Sequence, residues 1–219
     1  MSSPDGKGRL ILIRHTESAW NKLNVFTGWV DIPLSEAGRE HALQVGRAIK
    51  GKFSVDKAYT SSLTRAQETL DLVMEGAGIS GIPVVQDWHL NERYYGGWQG
   101  KNKDQTRQAF GADAVQAVRR GYSARPPGGE SLADTTDRVL PYFEEVMEPE
   151  LDKGITLLVA AHGNSLRALA KKLLKLSDEQ VPGFEIANGE VLVFRRETAT
   201  DEYTREHDTV DVPLPASHG

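Results

Sequence analysis

Two stretches of sequence decide the fold: RLILIRH at residues 9–15 and LLVAAH at residues 157–162. Each contains an apolar run of strand length, ends at a histidine, and is followed by polar residues and a predicted helix. Continuous apolar runs are typical of strands that are buried on both faces of a mainly parallel sheet. In such sheets ligands bind beyond the carboxyl ends of the strands, so the pattern predicts that His15 and His162 face one pocket.

Strand and helix patterns alternate along the rest of the chain. Strands are predicted over 55–59 and 82–86, and each follows or precedes a segment with helical spacing. Ser131 and Asp134 form a predicted capping box, which indicates the start of another helix. Residues 88–103 follow neither period and are expected to form a structured loop. This alternation predicts a three-layer α/β/α fold with a mainly parallel central sheet and an antiparallel edge.

Three further segments give specific structural predictions. Helical spacing extends from about Lys103 to Val118, which predicts helical structure there. Asn188-Gly189, between Phe184-Glu-Ile186 and Val191-Leu-Val-Phe194, is a hairpin signal. From residue 197 the chain is polar, acidic and contains prolines. We therefore expect a single domain at residues 1–196, followed by a mobile polar tail at residues 197–219.

Length, charge and cysteine content exclude several classes of protein. The 219 residues include 26 Lys and Arg against 31 Asp and Glu, giving a net charge of −5, and no cysteine. Absence of cysteine excludes thiol nucleophiles, zinc-thiolate sites and disulfides, and it fits a reducing cytoplasm. The net charge argues against a nucleic-acid partner, and no apolar run is long enough to suggest a membrane partner. A homo-oligomer is compatible with these observations.

Arginines near the predicted strand ends indicate what the pocket holds. Arg14 precedes His15, Arg65 opens the helix after the second strand, and Arg119-Arg120 form a pair. Guanidinium groups match phosphate and carboxylate bidentately, and helix N-termini add N–H donors for an anion. The sequence has no glycine-rich phosphate loop and no His or carboxylate pattern with metal-ligand spacing. We therefore expect a small phosphorylated acid that is held by side chains, without a metal.

Several motifs together carry a resemblance to a known family. The sequence resembles the cofactor-dependent phosphoglycerate mutases of the histidine phosphatase superfamily from about residue 9 to residue 195. The RH motif alone is typical of the whole superfamily, whereas its combination with the NER-x-Y-G-G and HGNSLR segments is specific to the mutases. The matching segments are RHTESAWN (14–21), FTGW (26–29), TSSLTRA (60–66), LNERYYGG (90–97), RR (119–120) and AHGNSLR (161–167).

This resemblance implies a fold, a reaction and a set of roles. It implies a phosphoglycerate mutase-like fold and interconversion of 2- and 3-phosphoglycerate, primed by 2,3-bisphosphoglycerate and independent of metal. His15 would become phosphohistidine, and Glu92 would exchange protons with the substrate hydroxyl. Arg14, Arg65 and His162 would hold the transferring phosphoryl group. The residues implied to bind the rest of the substrate are Ser18, Asn21, Thr27, Gly28, Tyr95, Lys103, Arg119, Arg120, Gly163 and Asn164.

Some positions depart from the family pattern, and two other functions stay open. Thr16 stands where the family usually has glycine and adds a side chain close to the phosphate. Residues 187–189 differ from the usual proline-threonine turn. A phosphatase for small phosphate esters and a non-catalytic phospholigand-binding module are the alternatives. Arg119-Arg120 and Asn21 favour a mutase, which must hold an intermediate with two phosphates and a carboxylate while it reorients.

Overall fold

A six-stranded mixed sheet forms the centre of the molecule. The computed structural model describes residues 8–197, 200–206 and 210. Across the sheet, the first four strands are parallel to one another, and each of the last two is antiparallel to the strand before it. The predicted mainly parallel sheet with an antiparallel edge is therefore confirmed. The strands are β1 (Arg9–Arg14), β2 (Lys57–Thr60), β3 (Val84–Gln86), β4 (Thr156–Ala161), β5 (Val191–Glu197) and β6 (Glu202–Glu206), in the spatial order β3-β2-β4-β1-β5-β6.

Helices cover both faces of this sheet. Leu10 and Leu12 of β1 belong to a core with the helices of one face, whereas Ile11 and Ile13 belong to a core on the other. This alternation follows from the pleat of a strand, and it confirms the predicted three layers. The helices are α1 (Ala19–Lys22), α2 (Glu36–Ile49), α3 (Thr64–Ala77), α4 (Lys103–Phe110), α5 (Ala112–Arg120), α6 (Leu132–Tyr142), α7 (Glu148–Leu151) and α8 (Gly163–Leu173).

Close packing between α2 and α3 depends on two glycines. A Cβ atom at Gly46 would lie 2.3 Å from the carbonyl oxygen of Val73, and one at Gly76 would lie 2.4 Å from that of Leu43. Both distances are below van der Waals contact, so any side chain there would push the two helices apart.

On the opposite face, the predicted capping box is present, because Ser131 and Asp134 each bond the other's backbone N–H at the start of α6.

One segment prediction is confirmed with a break, and another is wrong. The segment with helical spacing over Lys103–Val118 is helical, but Gly111, whose φ of 86° lies outside the helical region, divides it into α4 and α5. The hairpin predicted at Asn188-Gly189 is absent, because residues 184–186 form no strand and β5 pairs with β1 and β6. Gly189 instead donates its N–H to the carbonyl of Arg14 at 2.9 Å, so this turn closes against the end of β1.

Part of the predicted tail belongs to the sheet. Residues 202–206 form β6, which ion pairs of Glu206 with Arg9 and Arg195 connect to its neighbours. Tyr203 packs against Phe143 and donates its hydroxyl to Glu148 at 2.9 Å. The expectation of a tail missed this strand because its polar sequence has no apolar run, although it pairs antiparallel with β5. The other residues of the predicted tail, apart from 197, 200, 201 and 210, lie outside the described residues.

Within the described ranges, no helix has the length and apolar character that crossing a bilayer requires.

Candidate active site

A cavity of about 670 Å³ opens at the carboxyl end of the parallel strands. Its inner wall is formed by residues at the end of β1, at the starts of α3 and α8 and in the loop after β3, and its outer rim by α4, α5 and the loop before β5. Parallel strands end at one edge of a sheet, so residues distant in sequence meet here. The inner wall is defined as His15, Arg14, Arg65 and Glu92, together with His162, which is buried next to His15 and does not itself line the cavity. The outer rim is defined as Lys103, Arg119, Arg120, Glu185 and Glu190.

His15 follows β1 and has a fixed ring orientation. Its Nδ1 lies 2.7 Å from the carbonyl oxygen of Thr16, so Nδ1 carries the proton and Nε2 keeps its lone pair. The backbone N–H of His15 donates to the Ala161 carbonyl at 2.8 Å, and its own carbonyl accepts from the side-chain amide of Asn188 at 2.7 Å. Burial, together with the charges of Arg65 and Arg14, lowers the pKa of His15 well below its usual value. The imidazole is therefore neutral and nucleophilic at pH 7.

His162 follows β4, which is adjacent to β1. Its ring centroid lies 5.1 Å from that of His15, so the two strand-end histidines are neighbours, although only His15 lines the cavity. Nε2 is 2.7 Å from the hydroxyl of Ser61, which lies just beyond the end of β2. Burial and the neighbouring Arg65 lower the pKa of His162 well below its usual value. Sequence reasoning placed His162 in the site but missed Ser61 as its partner.

Two arginines complete the surroundings of His15: Arg65, which is buried, and Arg14, which is partly buried. Arg65 donates to the carbonyls of Gly28 and Val30, and Arg14 donates to that of Ile186. Burial lowers the pKa of Arg65 to about 10, so it stays charged at neutral pH. In the described part of the chain, Arg14 Nε, Arg65 Nε and His162 Nδ1 are buried without a hydrogen-bond partner. Buried N–H groups of this kind fit an anion at the His15 ring.

Glu92 lies in the loop after β3 and presents one oxygen to the cavity. Its Oε1 accepts hydrogen bonds from the backbone N–H groups of Arg93 at 2.8 Å and Asn164 at 3.1 Å. Its Oε2 lies 3.8 Å from the position that a Cβ atom on Gly163 would take, close to the guanidinium of Arg14. The two oxygens are therefore unequal, and Oε2 is the one available for proton exchange with a ligand.

The outer rim contains cations that are partly paired with carboxylates. Burial, reinforced by Arg119 and Arg14, lowers the pKa of Lys103 to about 8. Arg120 forms an ion pair with Glu185 at 2.7 Å, and Glu185 extends from the loop before β5. Glu190 accepts the backbone N–H of Ala187 at 2.6 Å, which stabilises that loop. The rim thus offers a second place for an anionic group, in competition with its own carboxylates.

The structure brings nearly all the predicted site residues together. Ser18 and His162 do not line the cavity. Ser18 is buried, caps α1, and orients Asn21, which does line it, and His162 is buried beside His15. Thr16 also faces away, because its hydroxyl donates to the carbonyl of Gly38 at 2.8 Å. The predicted residues that line the cavity are Arg14, His15, Asn21, Thr27, Gly28, Arg65, Glu92, Tyr95, Lys103, Arg119, Arg120, Gly163 and Asn164.

Several lining residues were not among the predicted site residues, including the polar residues Arg167, Glu185, Asn188 and Glu190. Arg167 lies two residues after the Asn164-Ser165 pair, within the HGNSLR segment, and that position was the available signal. Its guanidinium donates to the carbonyls of Phe184 and Pro182, so it supports the loop before β5. The other three lie in that loop, where no periodic pattern marks them.

The central sheet, the two histidines at its strand ends and the cationic cavity together define an α/β protein with a site suited to an anion. Comparison with known proteins identifies the family: a model of the histidine phosphatase superfamily (branch 1) matches residues 10–209. The chain belongs to this superfamily.

Named relatives include enzymes of two kinds. The chain is 51% identical over 186 residues to the 2,3-bisphosphoglycerate-dependent phosphoglycerate mutase of Parvibaculum lavamentivorans, covering 84% of this chain and 89% of the relative. It is 46% identical over 195 residues to the phosphoglycerate mutase of Schizosaccharomyces pombe, covering 89% and 92%. Among solved structures, Bacillus stearothermophilus YhfR superposes with a TM-score of 0.81 at 27% identity, covering 93% of this chain and 98% of YhfR. A mycobacterial glucosyl-3-phosphoglycerate phosphatase superposes with a TM-score of 0.78 at 26% identity, covering 94% and 99%.

Proposed function

We propose that this chain is a 2,3-bisphosphoglycerate-dependent phosphoglycerate mutase that interconverts 2- and 3-phosphoglycerate through phosphohistidine at His15. The observation that carries the proposal is the state of the His15 ring. Its Nδ1 is fixed by a carbonyl, and its low pKa leaves the imidazole neutral among buried cations. Identity of 51% with a named mutase, against 26% with a named phosphatase, supports the choice between these two activities.

Phosphoryl transfer requires a nucleophile and a proton donor on opposite sides of the bond that breaks. His15 Nε2 attacks phosphorus, and the bond from phosphorus to the substrate oxygen breaks as the new N–P bond forms. Glu92 Oε2 gives its proton to the leaving oxygen. In the return step, Glu92 takes the proton from the other hydroxyl, whose oxygen attacks phosphohistidine and restores the free imidazole.

The partnerless nitrogens of the inner wall would hold the transferring group. Arg14 Nε, Arg65 Nε and His162 Nδ1 can donate to the equatorial oxygens, and the backbone N–H groups at the start of α8 add further donors. For His162 to donate from Nδ1, the Ser61 hydroxyl must donate to Nε2, which the 2.7 Å contact permits. Bound 2,3-bisphosphoglycerate supplies the first phosphoryl group, and the same donors fit either of its phosphates.

The outer rim would hold the part of the substrate that does not react. Lys103, Arg119 and Arg120 line the cavity away from His15 and suit a carboxylate or a second phosphate. A mutase must keep a doubly phosphorylated intermediate while it reorients, and two separate cationic regions serve that purpose. A phosphatase for small phosphate esters is the second candidate, supported by the resemblance to the mycobacterial phosphatase structure.

The remaining parts of the proposal concern setting and organisation. We propose that the chain acts as one domain on a small phosphorylated acid in the cytoplasm, without a metal ion. Metal independence rests on the side-chain chemistry above and is tested by dialysis against a chelator. Unchanged activity is expected, whereas activity that is lost on dialysis and restored by Mg²⁺ or Mn²⁺ would contradict it.

A coupled assay separates the two candidate activities. Isomerisation of 3-phosphoglycerate is followed with and without 2,3-bisphosphoglycerate, and phosphate release is measured in the same samples. The mutase proposal predicts isomerisation that depends on 2,3-bisphosphoglycerate and exceeds phosphate release. Phosphate release without isomerisation would instead establish the phosphatase.

A further inference from the structure

Arg138, on α6, is buried beneath the loop that carries Glu92. Its side chain is 7% exposed and does not line the cavity. Its Nη1 donates to the carbonyl of His89 at 2.7 Å and to those of Trp88 and Asn91 at 3.3 Å. Its Nη2 donates to the carbonyl of Glu92 at 3.3 Å. One guanidinium therefore binds carbonyl groups along the whole stretch that leads to Glu92.

Glu130, just before α6, fixes Arg138 and the other side of the loop. The two side chains form a bidentate pair, with Nε–Oε1 at 3.1 Å and Nη2–Oε2 at 2.9 Å. Glu130 Oε2 also accepts the backbone N–H of Tyr94 at 2.9 Å, and the Glu130 N–H donates to the Tyr94 carbonyl at 2.8 Å. The pair thus binds the backbone on both sides of Glu92.

Trp29 connects this arrangement to the cavity wall. Its indole Nε1–H donates to the Glu92 carbonyl at 2.5 Å, so that oxygen accepts two hydrogen bonds. The guanidinium carbon of Arg138 lies 5.5 Å from the centroid of the Trp29 ring. Trp29 directly follows Gly28, whose carbonyl accepts from Arg65. The backbone of Glu92 is therefore tied both to α6 and to the segment that holds a phosphoryl-binding arginine.

We propose that Arg138, oriented by Glu130, is a positioning residue for the Glu92 carboxylate. The inference rests on the proposed role of Glu92 in proton exchange. Arg138 does not line the cavity, and its hydrogen bonds reach the site only through the backbone that carries Glu92. Its charge also helps to lower the pKa of His162, and the Glu92→Gln background separates that contribution from the positioning of Glu92. Because proton transfer depends on geometry at the level of about 1 Å, and an error of that size can cost about 100-fold in rate, loosening the Glu92 backbone lowers the rate of the chemical step.

A double-mutant cycle tests this role. Arg138→Gln is expected to lower kcat roughly 10- to 100-fold with KM changed less than about 2-fold. In the Glu92→Gln background the same substitution is expected to lower kcat less than about 2-fold further, because residues that act as a unit are not additive. Glu130→Gln, which keeps the contacts of Arg138 with the carbonyls, is a second and milder variant for the same cycle.

Arg196 provides a matched control. Its side chain is 5% exposed and pairs with Asp152, Asp201 and Glu148, away from the cavity. Arg196→Gln removes a comparable buried ion pair, so it is expected to lower the thermal midpoint and leave kcat unchanged. All variants are assayed at a temperature at which circular dichroism shows each of them folded.

Two outcomes overturn the inference. One is a loss of kcat from Arg138→Gln that is as large in the Glu92→Gln background as in the wild type, which indicates a role independent of the carboxylate. The other is an Arg138→Gln variant that loses stability but keeps kcat, as expected for Arg196→Gln. Failure of the proposed function would look different, because the wild-type chain would then show no isomerisation. In that case the double-mutant cycle is measured on the rate of phosphate release.

Discussion

The inner wall and the outer rim of the cavity differ in how their charges are held. His15, Arg14 and Arg65 are each fixed by backbone carbonyls at strand ends or in adjoining loops, and they are nearly or partly buried. The rim pair Arg120–Glu185 consists of two side chains that are 36% and 66% exposed. One region is anchored to the sheet, whereas the other is held by exposed side chains that a ligand can displace.

This difference separates chemistry from recognition. A transferring phosphoryl group needs donors that are already in place, because donors that reorganise during the reaction stabilise its transition state poorly. A substrate group that must leave and rebind while the intermediate reorients is better held by contacts that can adjust. The inner wall should therefore control kcat, with large effects, and the outer rim should control KM, with small ones.

Glu92→Gln is expected to have the largest effect among variants that keep the nucleophile. Removal of a general acid and base costs roughly 100- to 10,000-fold in rate, and the glutamine keeps the hydrogen bonds that Oε1 accepts. Steady-state kinetics should show this loss in kcat with KM changed little. A change in KM alone would show that Glu92 binds the substrate rather than transferring a proton.

His162→Ala is expected to lower kcat roughly 100- to 1,000-fold, the typical cost of losing one donor to a developing charge. Phosphorylation of His15 should be slowed by the same factor in a single-turnover measurement. Ser61→Ala, which removes the partner of His162 Nε2, should produce a smaller loss in the same direction. Unchanged single-turnover rates in His162→Ala would show that this ring does not contact the phosphoryl group.

The low pKa of Lys103 predicts that substrate binding at the outer rim depends on pH. Its pKa is about 8, and a bound anion favours the ammonium form, so the pKa rises in the complex. Substrate affinity is then greatest below pH 8 and falls above it, by about 10-fold at pH 9 for a single titrating group. KM should follow this curve in the wild type and stay flat over the same range in Lys103→Arg. A rise in KM shared equally by both proteins would exclude Lys103 as its source.

Glu185→Gln is expected to have the smallest effect, and a favourable one. An exposed ion pair contributes about 0.2–1 kcal/mol, so freeing Arg120 should lower KM about 1.5- to 5-fold. The gain should shrink at high salt, because exposed charges are screened. Glu144→Gln, which removes a carboxylate from an exposed pair with Lys172 away from the cavity, is the matched control. Equal changes in both variants would point to net charge rather than to Arg120.

The sequence predicted the inner wall better than the rim for a physical reason. Buried strands produce long apolar runs, and the residues at their ends can be located from the runs themselves, as His15 and His162 were. Glu185 and Asn188 lie in a loop whose path depends on tertiary contacts, such as the hydrogen bonds from Arg167 to Phe184 and Pro182. No local pattern encodes those contacts.

Misleading local signals explain the errors in the fold. Asn188-Gly189 has the composition of a hairpin turn, but its glycine bonds the end of β1 and the residues before it form no strand. Strand β6 was missed because its sequence, EYTRE, contains one aromatic residue and no apolar run, although it pairs with the preceding strand β5. The turn at Asn188-Gly189 depends on a partner far away in sequence, which periodicity within a short window cannot detect.

Transfer of a labelled phosphoryl group tests the central claim most directly. The chain is incubated with 2,3-bisphosphoglycerate labelled in its phosphates, isolated, and then mixed with unlabelled 3-phosphoglycerate. The account predicts an acid-labile, alkali-stable label at His15 that is absent in His15→Ala and moves to phosphoglycerate on mixing. Label that persists in His15→Ala, or that leaves the wild-type chain only as inorganic phosphate, would contradict it.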